Sequence, residues 1–210
     1  MGLESIVMSE QQDLDTQLML RFQAGDVACF EQLVDRNKQR VFNLVYRFLG
    51  GRQDAEDLAQ EVFIRVYRAA PRYQPTAKFT TWLYVICRNV CLKAVERGRH
   101  DAVAQRDDPE FMREVTAHHQ ATHRTETPLK AAIRGERAEH VRAAIDALPP
   151  PQRLVVILYR YEHLDYEEIA SVTQSTVSAV KSLLHRAKVA LRDRLQGTAG
   201  IGETPTTHRD

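Results

Sequence analysis

Hydrophobic residues recur at three- and four-residue steps along most of the chain, which is the period of amphipathic helices. The first such stretch covers residues 14 to 24 and ends at Gly25, and Asp26 is placed to cap the next helix. That second helix runs until Gly50 and Gly51 interrupt the pattern. Its apolar stripe consists of Phe30, Leu33, Val34, Val41, Leu44, Val45 and Phe48. No strand pattern competes with these periods, so the sequence predicts an all-α protein.

The third predicted helix, DAEDLAQEVFIRVYR, carries an acidic surface. Its inward stripe is Leu58, Val62 and Val66, and Asp57, Gln60 and Glu61 fall outside that stripe. Part of the acidity has a local explanation, because Asp54 followed by Asp57 resembles a capping box and Glu61 is spaced to pair with Arg65. Capping does not account for Gln60 and Glu61, which lie beyond the first turn. This surface is therefore a candidate protein-docking site.

The segment from Pro71 to Arg99 combines aromatic and basic residues. A loop containing the exposed-looking Tyr73, with Gln74, Lys78 and Phe79, leads into a helix that begins at Thr80 and Thr81. One face of that helix is apolar and consists of Trp82, Ile86, Val90 and Ala94. The cations lie off this face, near Asn89, and are Arg88, Lys93, Arg97 and Arg99. Aromatic faces beside cations hold unpaired bases, so the segment is a candidate single-strand DNA site. For Trp82 alone, a place in the core is an equal alternative.

The helical pattern is absent over residues 100 to 127, which are polar and are predicted to be a linker. Its His118, His119 and His123 lack a cysteine partner and have only Glu114 nearby, so a solvated tract is favoured over a metal site. Order returns at Pro128, and a stripe of Val141, Ile145 and Leu148 follows. We expect the three prolines at positions 149 to 151 to stop that helix.

A helix-turn-helix is predicted at the end of the chain. It consists of an apolar helix over residues 152 to 161, a short helix over 166 to 172, a turn over 173 to 175 and a last helix from Thr176 to about Leu195. The buried side of the last helix is Val177, Val180, Leu184, Ala187, Leu191 and Leu195, and its outer side carries Ser178, Lys181, Ser182, His185, Arg186, Lys188 and Arg192. Serine and cationic side chains on one helix face suit major-groove and phosphate contacts.

Composition narrows the class of protein. The 210 residues are 43% hydrophobic and 27% charged with a net charge of +1, so nucleic-acid binding must come from local asymmetry. Three cysteines without ligand spacing predict neither a disulfide framework nor a zinc site, and Cys87 and Cys91, one turn apart, are expected to be small core residues. The acidic N-terminus lacks the pattern of a signal peptide, membrane span or myristoyl anchor, and the cytoplasm is the expected compartment.

The two candidate DNA surfaces together indicate work at promoters. Separating about ten base pairs forfeits roughly 14 kcal/mol of stacking at about 1.4 kcal/mol per step, whereas one or two captured bases return only a few. The chain therefore needs a large partner that holds the duplex, and the acidic helix is the natural dock. No glycine-rich phosphate loop, metal-ligand spacing or nucleophile motif is present, which argues against an enzyme, and no cofactor or metal is predicted.

Three linked stretches, DAEDLAQEVFIRVYR, FTTWLYVICRN and LPPPQRLVVILYRYEHLDYEEIA with AVKSLLHRAK, resemble the extracytoplasmic-function group of the bacterial sigma-70 family. The resemblance implies a subunit that directs RNA polymerase to particular promoters. It implies an N-terminal tail over residues 1–12, a region 2-like domain over 13–100, a linker over 101–136, a region 4-like domain over 137–196 and a tail over 197–210. The short linker resembles that of the compact members, which lack a middle domain.

By position, the resemblance assigns Asp57, Gln60 and Glu61 to docking on the clamp helices of the polymerase's largest subunit, and it implies a second contact of the factor with the polymerase flap. It assigns residues 74 to 79 to capture of a flipped base of the proximal (−10) element, with Trp82, Arg88 and Asn89 in the following helix. Tyr73 belongs with this group on the aromatic character of the loop. Lys181, Ser182, His185 and Arg186, together with the neighbouring Ser178, are assigned to the distal (−35) element.

The chain also departs from the family pattern. A Leu-Gly pair is usual where Thr173 and Gln174 stand, Gly-Thr is frequent at Ser178 and Ala179, and the usual Arg is Leu183; Lys93 stands where an acid is common. Loss of phosphate contacts at Ala179 and Leu183 is expected to alter distal-element binding. The resemblance further implies an anti-sigma protein as a regulator.

One alternative stays open. A helix-turn-helix regulator would bind duplex DNA through its C-terminal domain without being a polymerase subunit. The segment from Pro71 to Asn89 separates the two hypotheses, because a regulator needs no aromatic and basic loop.

Overall fold

A computed structural model of the chain describes residues 14–50, 54–104 and 138–199. Within these ranges the regular structure is entirely helical, which confirms the all-α prediction. The helices are α1 (residues 14–23), α2 (Val27–Phe48), α3 (Ala55–Ala69), α4 (Phe79–Ala104), α5 (residues 138–146), α6 (Pro150–Arg160), α7 (Tyr166–Thr173) and α8 (Val177–Ala199), and a 3₁₀ turn (Ala70–Arg72) follows α3.

The first four helices form the N-terminal domain around α2. The predicted stripe of α2 is confirmed at Leu33, Val41, Leu44, Val45 and Phe48, which are fully buried against α3 and α4. A buried carboxylate fixes α1 on α2, since Asp15 accepts hydrogen bonds from Arg36 (2.6 Å) and Asn37 (3.2 Å). These two donors supply the hydrogen bonds that the buried Asp15 carboxylate would otherwise make with water.

The turn between α1 and α2 differs from the prediction at Asp26. Gly25 has φ +104°, a conformation that glycine adopts without strain, and this ends α1 as expected. Asp26 stands at the N-cap position of α2 but makes no side-chain capping bond. Its carboxylate instead accepts from Arg21 at 2.6 Å and from the Cys29 thiol at 3.2 Å, and these bonds lower the pKa of Asp26.

Helix α4 is buried more widely than its sequence pattern predicts. Ala94 and Val90 face the core as expected, whereas Trp82 and Ile86 are only half-buried. The fully covered residues also include Leu83, Tyr84, Cys87 and Cys91, so the packed face is rotated from the predicted one. The two cysteines are free core residues, as predicted, and burial raises the pKa of the Cys91 thiol to about 12.

The C-terminal domain contains α5 to α8. The three prolines at 149 to 151 do not simply stop a helix: Pro149 is the N-cap of α6, and Pro150 and Pro151 occupy its first turn, where a missing N–H costs nothing. The helix-turn-helix prediction is confirmed by α7, a turn with Gln174 in the left-handed region (φ 54°), and α8. Asp165 and Glu168 form a complete capping box at the start of α7.

The two domains pack against each other in this structure and share a continuous apolar core. Arg153 of α6 joins them, since its guanidinium donates to the Phe48 carbonyl at the end of α2 (2.7 Å) and to the carbonyls of Asp146 and Leu148. Arg47 of α2 stacks over the Tyr161 ring at 4.5 Å. Helix α4 lies along α7, and α2 lies along α6.

The predicted boundaries are met only in part within the described residues. Helix α4 continues to Ala104, four residues into the predicted linker, and α8 continues to Ala199 rather than ending near Leu195. Residues 197–199 of the predicted C-terminal tail thus belong to α8. The rest of that tail, the N-terminal tail, the rest of the linker with its three histidines and the helix start at Pro128 lie outside the described residues.

Candidate nucleic-acid interface

The acidic surface of α3 lies on the open side of the N-terminal domain. Asp57 and Gln60 are exposed, as predicted, and Glu61 is partly covered. Arg65 donates to Glu61 at 2.7 Å, which confirms the expected pairing one turn apart and lowers the pKa of Glu61. The expected capping box is not formed, because Asp54 stands at the N-cap without a side-chain capping bond. The acidic residues of this helix are therefore not explained by capping.

The loop before α4 is built on two buried aromatic residues, contrary to the exposed loop that the sequence suggests. Tyr73 is 4% exposed and Phe79 is fully buried. Their rings pack edge-on at 6.0 Å between centroids, and Tyr73 packs edge-on against Trp82 at 4.9 Å. The three rings are close in the sequence and cover one another, so Tyr73 and Phe79 support the loop from its buried side. Only the half-buried Trp82 of the three keeps ring surface in contact with solvent.

The backbone of this loop is held by a glutamine of α1. The side-chain amide of Gln23 donates to the carbonyls of Ala70 (2.6 Å) and Tyr73 (3.0 Å). These two bonds fix the path of the chain into the loop, where Gln74 is exposed. A polar residue presented on a loop that is anchored at its base suits specific contact better than a free loop does.

The polar residues of α4 lie near the C-terminal domain. Lys78 donates to Glu168 of α7 at 2.6 Å, and the partly buried Arg88 donates to the side-chain oxygen of Gln174 at 3.0 Å. Asn89 is exposed. Of the predicted single-strand residues, the structure thus places Lys78 directly before α4 and Trp82, Arg88 and Asn89 within its first three turns.

The outer face of α8 is open to solvent. All five predicted residues, Ser178, Lys181, Ser182, His185 and Arg186, are exposed. Thr176 accepts from the backbone N–H of Ala179 at 3.2 Å and so caps the start of α8. Lys181 extends over the ring of Tyr166 in α7 at 5.6 Å, a cation–π contact that joins the two helices of the motif. This face presents cations and hydroxyls, and no element within residues 14–50, 54–104 and 138–199 covers it.

Several residues that join the N-terminal and C-terminal domains are not indicated by the sequence pattern. Tyr84 of α4 donates to Glu162, whose side chain is 8% exposed and lies 4.0 Å from Arg40. Burial beside that carboxylate raises the pKa of Tyr84. The spacing of Asp165 and Glu168 was a readable capping-box pattern, but pairs such as Lys78 and Glu168, which are 90 residues apart, leave no local trace.

Two other kinds of feature, a metal site and a membrane span, are absent from the part of the chain that the structure describes. There, no cluster of three or more His, Cys, Asp or Glu side chains is placed to hold a metal ion. Within the same ranges no helix combines the length and the apolar character that crossing a bilayer requires.

Two family models match the chain, the first in the N-terminal domain and the second in the C-terminal domain. Sigma-70 region 2 matches residues 33–100 and Sigma-70 region 4 matches residues 138–191. The RNA polymerase sigma-H factor of Pseudomonas aeruginosa is 37% identical over 188 residues, which span 88% of this chain and 95% of that protein. The chain belongs to the extracytoplasmic-function group of the sigma-70 family.

Further sigma factors of this group are similar over nearly their whole length. The sigma-E factor of Escherichia coli is 33% identical, with 90% of this chain and 97% of that protein covered, and SigW of Bacillus subtilis is 32% identical over 82% and 91%. Among solved structures, CnrH in complex with the cytosolic domain of CnrY superposes with a TM-score of 0.62 at 24% identity, covering 88% of this chain and 99% of that one. RpoE of Bartonella quintana, in complex with the anti-sigma factor NepR, gives 0.61 at 20% identity, with coverage of 80% and 96%. These two structures share the fold.

Proposed function

We propose that this sigma factor binds core RNA polymerase through α3 and directs initiation at promoters by reading two DNA elements with two different helices. Region 4 reads the duplex of the −35 element with α8, and region 2 holds the melted strand of the −10 element at the start of α4. The observation that carries the proposal is the presence, within one sigma-family chain, of an exposed cationic helix in a helix-turn-helix and a second cationic helix beside Trp82.

The duplex contacts follow from the chemistry of the α8 face. Arg186 and Lys181 supply donors for guanine edges or phosphates, and Ser178, Ser182 and His185 supply shorter polar contacts on the same face. Leu183 packs against the core, so the residue that replaces the usual arginine is turned away from this face. We therefore expect the register of phosphate contacts to differ from that of typical members.

The melted-strand contacts are assigned to Gln74, Lys78, Trp82, Arg88 and Asn89. Trp82 supplies a ring face and the two cations supply backbone contacts, while Gln74 and Asn89 offer amides for base edges. Tyr73 and Phe79, also predicted here, act as the buried support of the loop and not as direct contacts. One captured base is worth about 1–3 kcal/mol, so the polymerase must supply the rest of the melting energy.

Asp57, Gln60 and Glu61 are proposed as the docking surface for the polymerase clamp helices, with region 4 meeting the flap. The role needs no catalytic residue, cofactor or metal in the sigma factor, and it places the protein with RNA polymerase in the cytoplasm. An anti-sigma protein is the expected regulator, in line with the two complexes of the structural relatives, which contain CnrY and NepR.

The test is run-off transcription with purified bacterial core polymerase on pooled genomic promoters of the source organism. Wild type is compared with Gln60→Ala/Glu61→Ala, with Lys181→Ala/Arg186→Ala, and with Glu31→Ala/Gln32→Ala, a control of the same residue types on exposed positions of α2. We expect discrete transcripts from the wild type and the control only. Absence of specific transcripts, with the chain alone shifting a defined duplex, would contradict the proposal and support a polymerase-independent regulator.

A further inference from the structure

A cavity of about 890 Å³ opens on the C-terminal domain between α5, α6, α7 and α8. Apolar side chains of α5 and α8 form one part of its lining, namely Val141, Ile145, Leu184 and Leu191. Sites for small molecules have this range of volume and combine an apolar lining with a few placed polar groups. The polar groups of the lining therefore indicate which kind of ligand the cavity takes.

Two stacked tyrosines form the aromatic part of the lining. The ring centroids of Tyr159 and Tyr166 lie 5.7 Å apart, with 22° between the ring planes. Tyr166 also contacts Lys181, whose ammonium lies 5.6 Å from the ring centroid. Tyr159 remains 47% exposed and lines the cavity. A ring that is held by a stacked neighbour and keeps accessible surface is the group on which a nucleobase stacks.

The part of the lining that α8 contributes is cationic. Lys181, His185 and Lys188 follow one another at four- and three-residue steps, so they share one side of the helix. The first and the last are seven residues apart, which is about 10 Å along the helix axis. All three side chains are exposed, and no acid in the described part of the chain forms an ion pair with them. Such a row suits a ligand with more than one phosphate, because ammonium groups bind phosphates as point charges.

The charges of the lining have one sign. Arg160 at the end of α6 and His163 in the following turn also line the cavity, and none of the described lining residues is an acid. An apolar ligand would make no use of these donors, and an inorganic anion would make no use of the rings and the apolar side chains. A ligand that uses both parts is flat and aromatic at one end and carries several negative charges at the other.

We propose that this cavity binds a nucleoside di- or triphosphate. The base stacks on the exposed surface of the Tyr159 ring. The phosphates contact Lys181, His185 and Lys188 of α8. Two of these, Lys181 and His185, are also proposed to contact the −35 duplex, so the nucleotide and the duplex compete for them. This competition rests on the proposed function of α8, whereas nucleotide binding does not.

Isothermal titration calorimetry of the full chain with ADP, without DNA or polymerase, tests the site and is independent of the proposed function. Adenosine and sodium pyrophosphate are titrated separately, because each carries only one of the two features that the cavity is proposed to recognise. A single-stranded adenine hexanucleotide is the third comparison. It carries the same base within a nucleic acid and so separates a free nucleotide from a DNA strand as the source of the ligand.

Two variants each remove one feature of the cavity. Tyr159→Leu removes the ring and keeps an apolar side chain, and Lys188→Gln removes one charge from an exposed position. Neither residue is assigned to duplex contact. The matched controls make the same changes on the N-terminal domain, with Tyr67→Leu at a tyrosine that is 52% exposed and Lys93→Gln at an exposed lysine. Circular dichroism melts show that each variant is folded, and Lys188→Gln decides alone if Tyr159→Leu does not fold.

We expect ADP to bind at least about tenfold more tightly than adenosine, pyrophosphate or the hexanucleotide. Each cavity variant should weaken ADP binding by about tenfold, and each control by less than about twofold. Absence of saturable ADP binding up to about 1 mM would overturn the proposal, and so would cavity variants that bind ADP like the wild type. Pyrophosphate that binds as tightly as ADP would indicate an adventitious ion only. A hexanucleotide that binds more tightly than ADP and is weakened by the same variants would assign the cavity to nucleic acid instead.

Discussion

The cations on the outer face of α8 lie in solvent, whereas Lys78, directly before α4, and Arg88 within it are paired with the Glu168 carboxylate of α7 and with the amide of Gln174, which follows α7. Both faces carry the groups that bind nucleic acid, and they differ in what they meet in the free chain. A helix that reads intact duplex finds its target at any time. A helix that holds a melted strand has no target until the duplex opens, and the helix proposed for that role in this chain has its two cations paired with the C-terminal domain.

The aromatic residues beside α4 and those beside α8 also differ in what they contact. At the start of α4 the rings of Phe79 and of Tyr73, which precedes the helix, are buried and Trp82 is half-buried, so the aromatic cluster supports the proposed strand-binding face from within. On the C-terminal domain Tyr159 and Tyr166 stack at 5.7 Å, and the Tyr166 ring lies beneath Lys181. Buried rings thus support the proposed face of α4, whereas on the C-terminal domain a ring contacts a cation of the proposed reading face.

The largest effect is expected from Phe79→Ala. Removal of a fully buried ring should lower the free energy of unfolding by about 3–5 kcal/mol, because the cavity cannot be refilled by the neighbouring Tyr73 and Trp82. Urea denaturation followed by circular dichroism measures it. The control Gln74→Ala, on the exposed part of the loop, should change stability by less than about 0.5 kcal/mol. A stable Phe79→Ala that fails only in strand capture would return Phe79 to the binding face.

A smaller effect is expected on the open face. Lys181→Ala/Arg186→Ala should weaken binding of the free chain to duplex carrying its −35 element by about 100-fold, since two contacts of about 1–3 kcal/mol each are lost. Mobility shift at fixed ionic strength measures the affinity. Arg160→Ala removes an exposed cation of the same domain outside α8 and serves as the control. Equal losses in the double variant and the control would indicate a general charge effect and not a reading face.

Much of the fold could be predicted from the sequence because helical periodicity and capping are local. The stripe of α2, the helix-turn-helix and the pairing of Glu61 with Arg65 depend on residues a few positions apart. The prolines at 149 to 151 follow the end of α5, as expected, but α6 begins at Pro150 and not at residue 152, because proline is also compatible with the first turn of a helix. The burial of Tyr73 and the bond between Lys78 and Glu168 depend on packing between distant segments, which periodicity does not encode.

The smallest effect concerns the docking helix and has a defined pH dependence. Glu61→Gln removes the bond to Arg65, and a pair at this spacing on a helix surface contributes about 0.3–0.5 kcal/mol to the free energy of unfolding. The pKa of Glu61 is lowered in the folded state, so this stabilisation is present above the ordinary glutamate pKa and is lost as the pH falls through the lowered value.

Urea titrations of wild type and Glu61→Gln at neutral pH and near pH 3 measure the difference. Arg65→Gln removes the same pair from its other side and is the control. A stability difference that persists unchanged in acid would show that Glu61 acts through packing and not through its charge.

The most direct test of the proposed two-domain function is transcription by a chain whose domains are reversibly joined. Arg47 and Tyr161 lie on the two domains with the guanidinium 4.5 Å from the ring, and neither belongs to a proposed binding face. A bismaleimide with a cleavable disulfide is used to join Arg47→Cys to Tyr161→Cys. The joined chain should yield no run-off transcript, because region 2 and region 4 are proposed to meet different parts of the polymerase, and reduction of the linker should restore transcription. Equal transcription before and after cleavage would contradict the account.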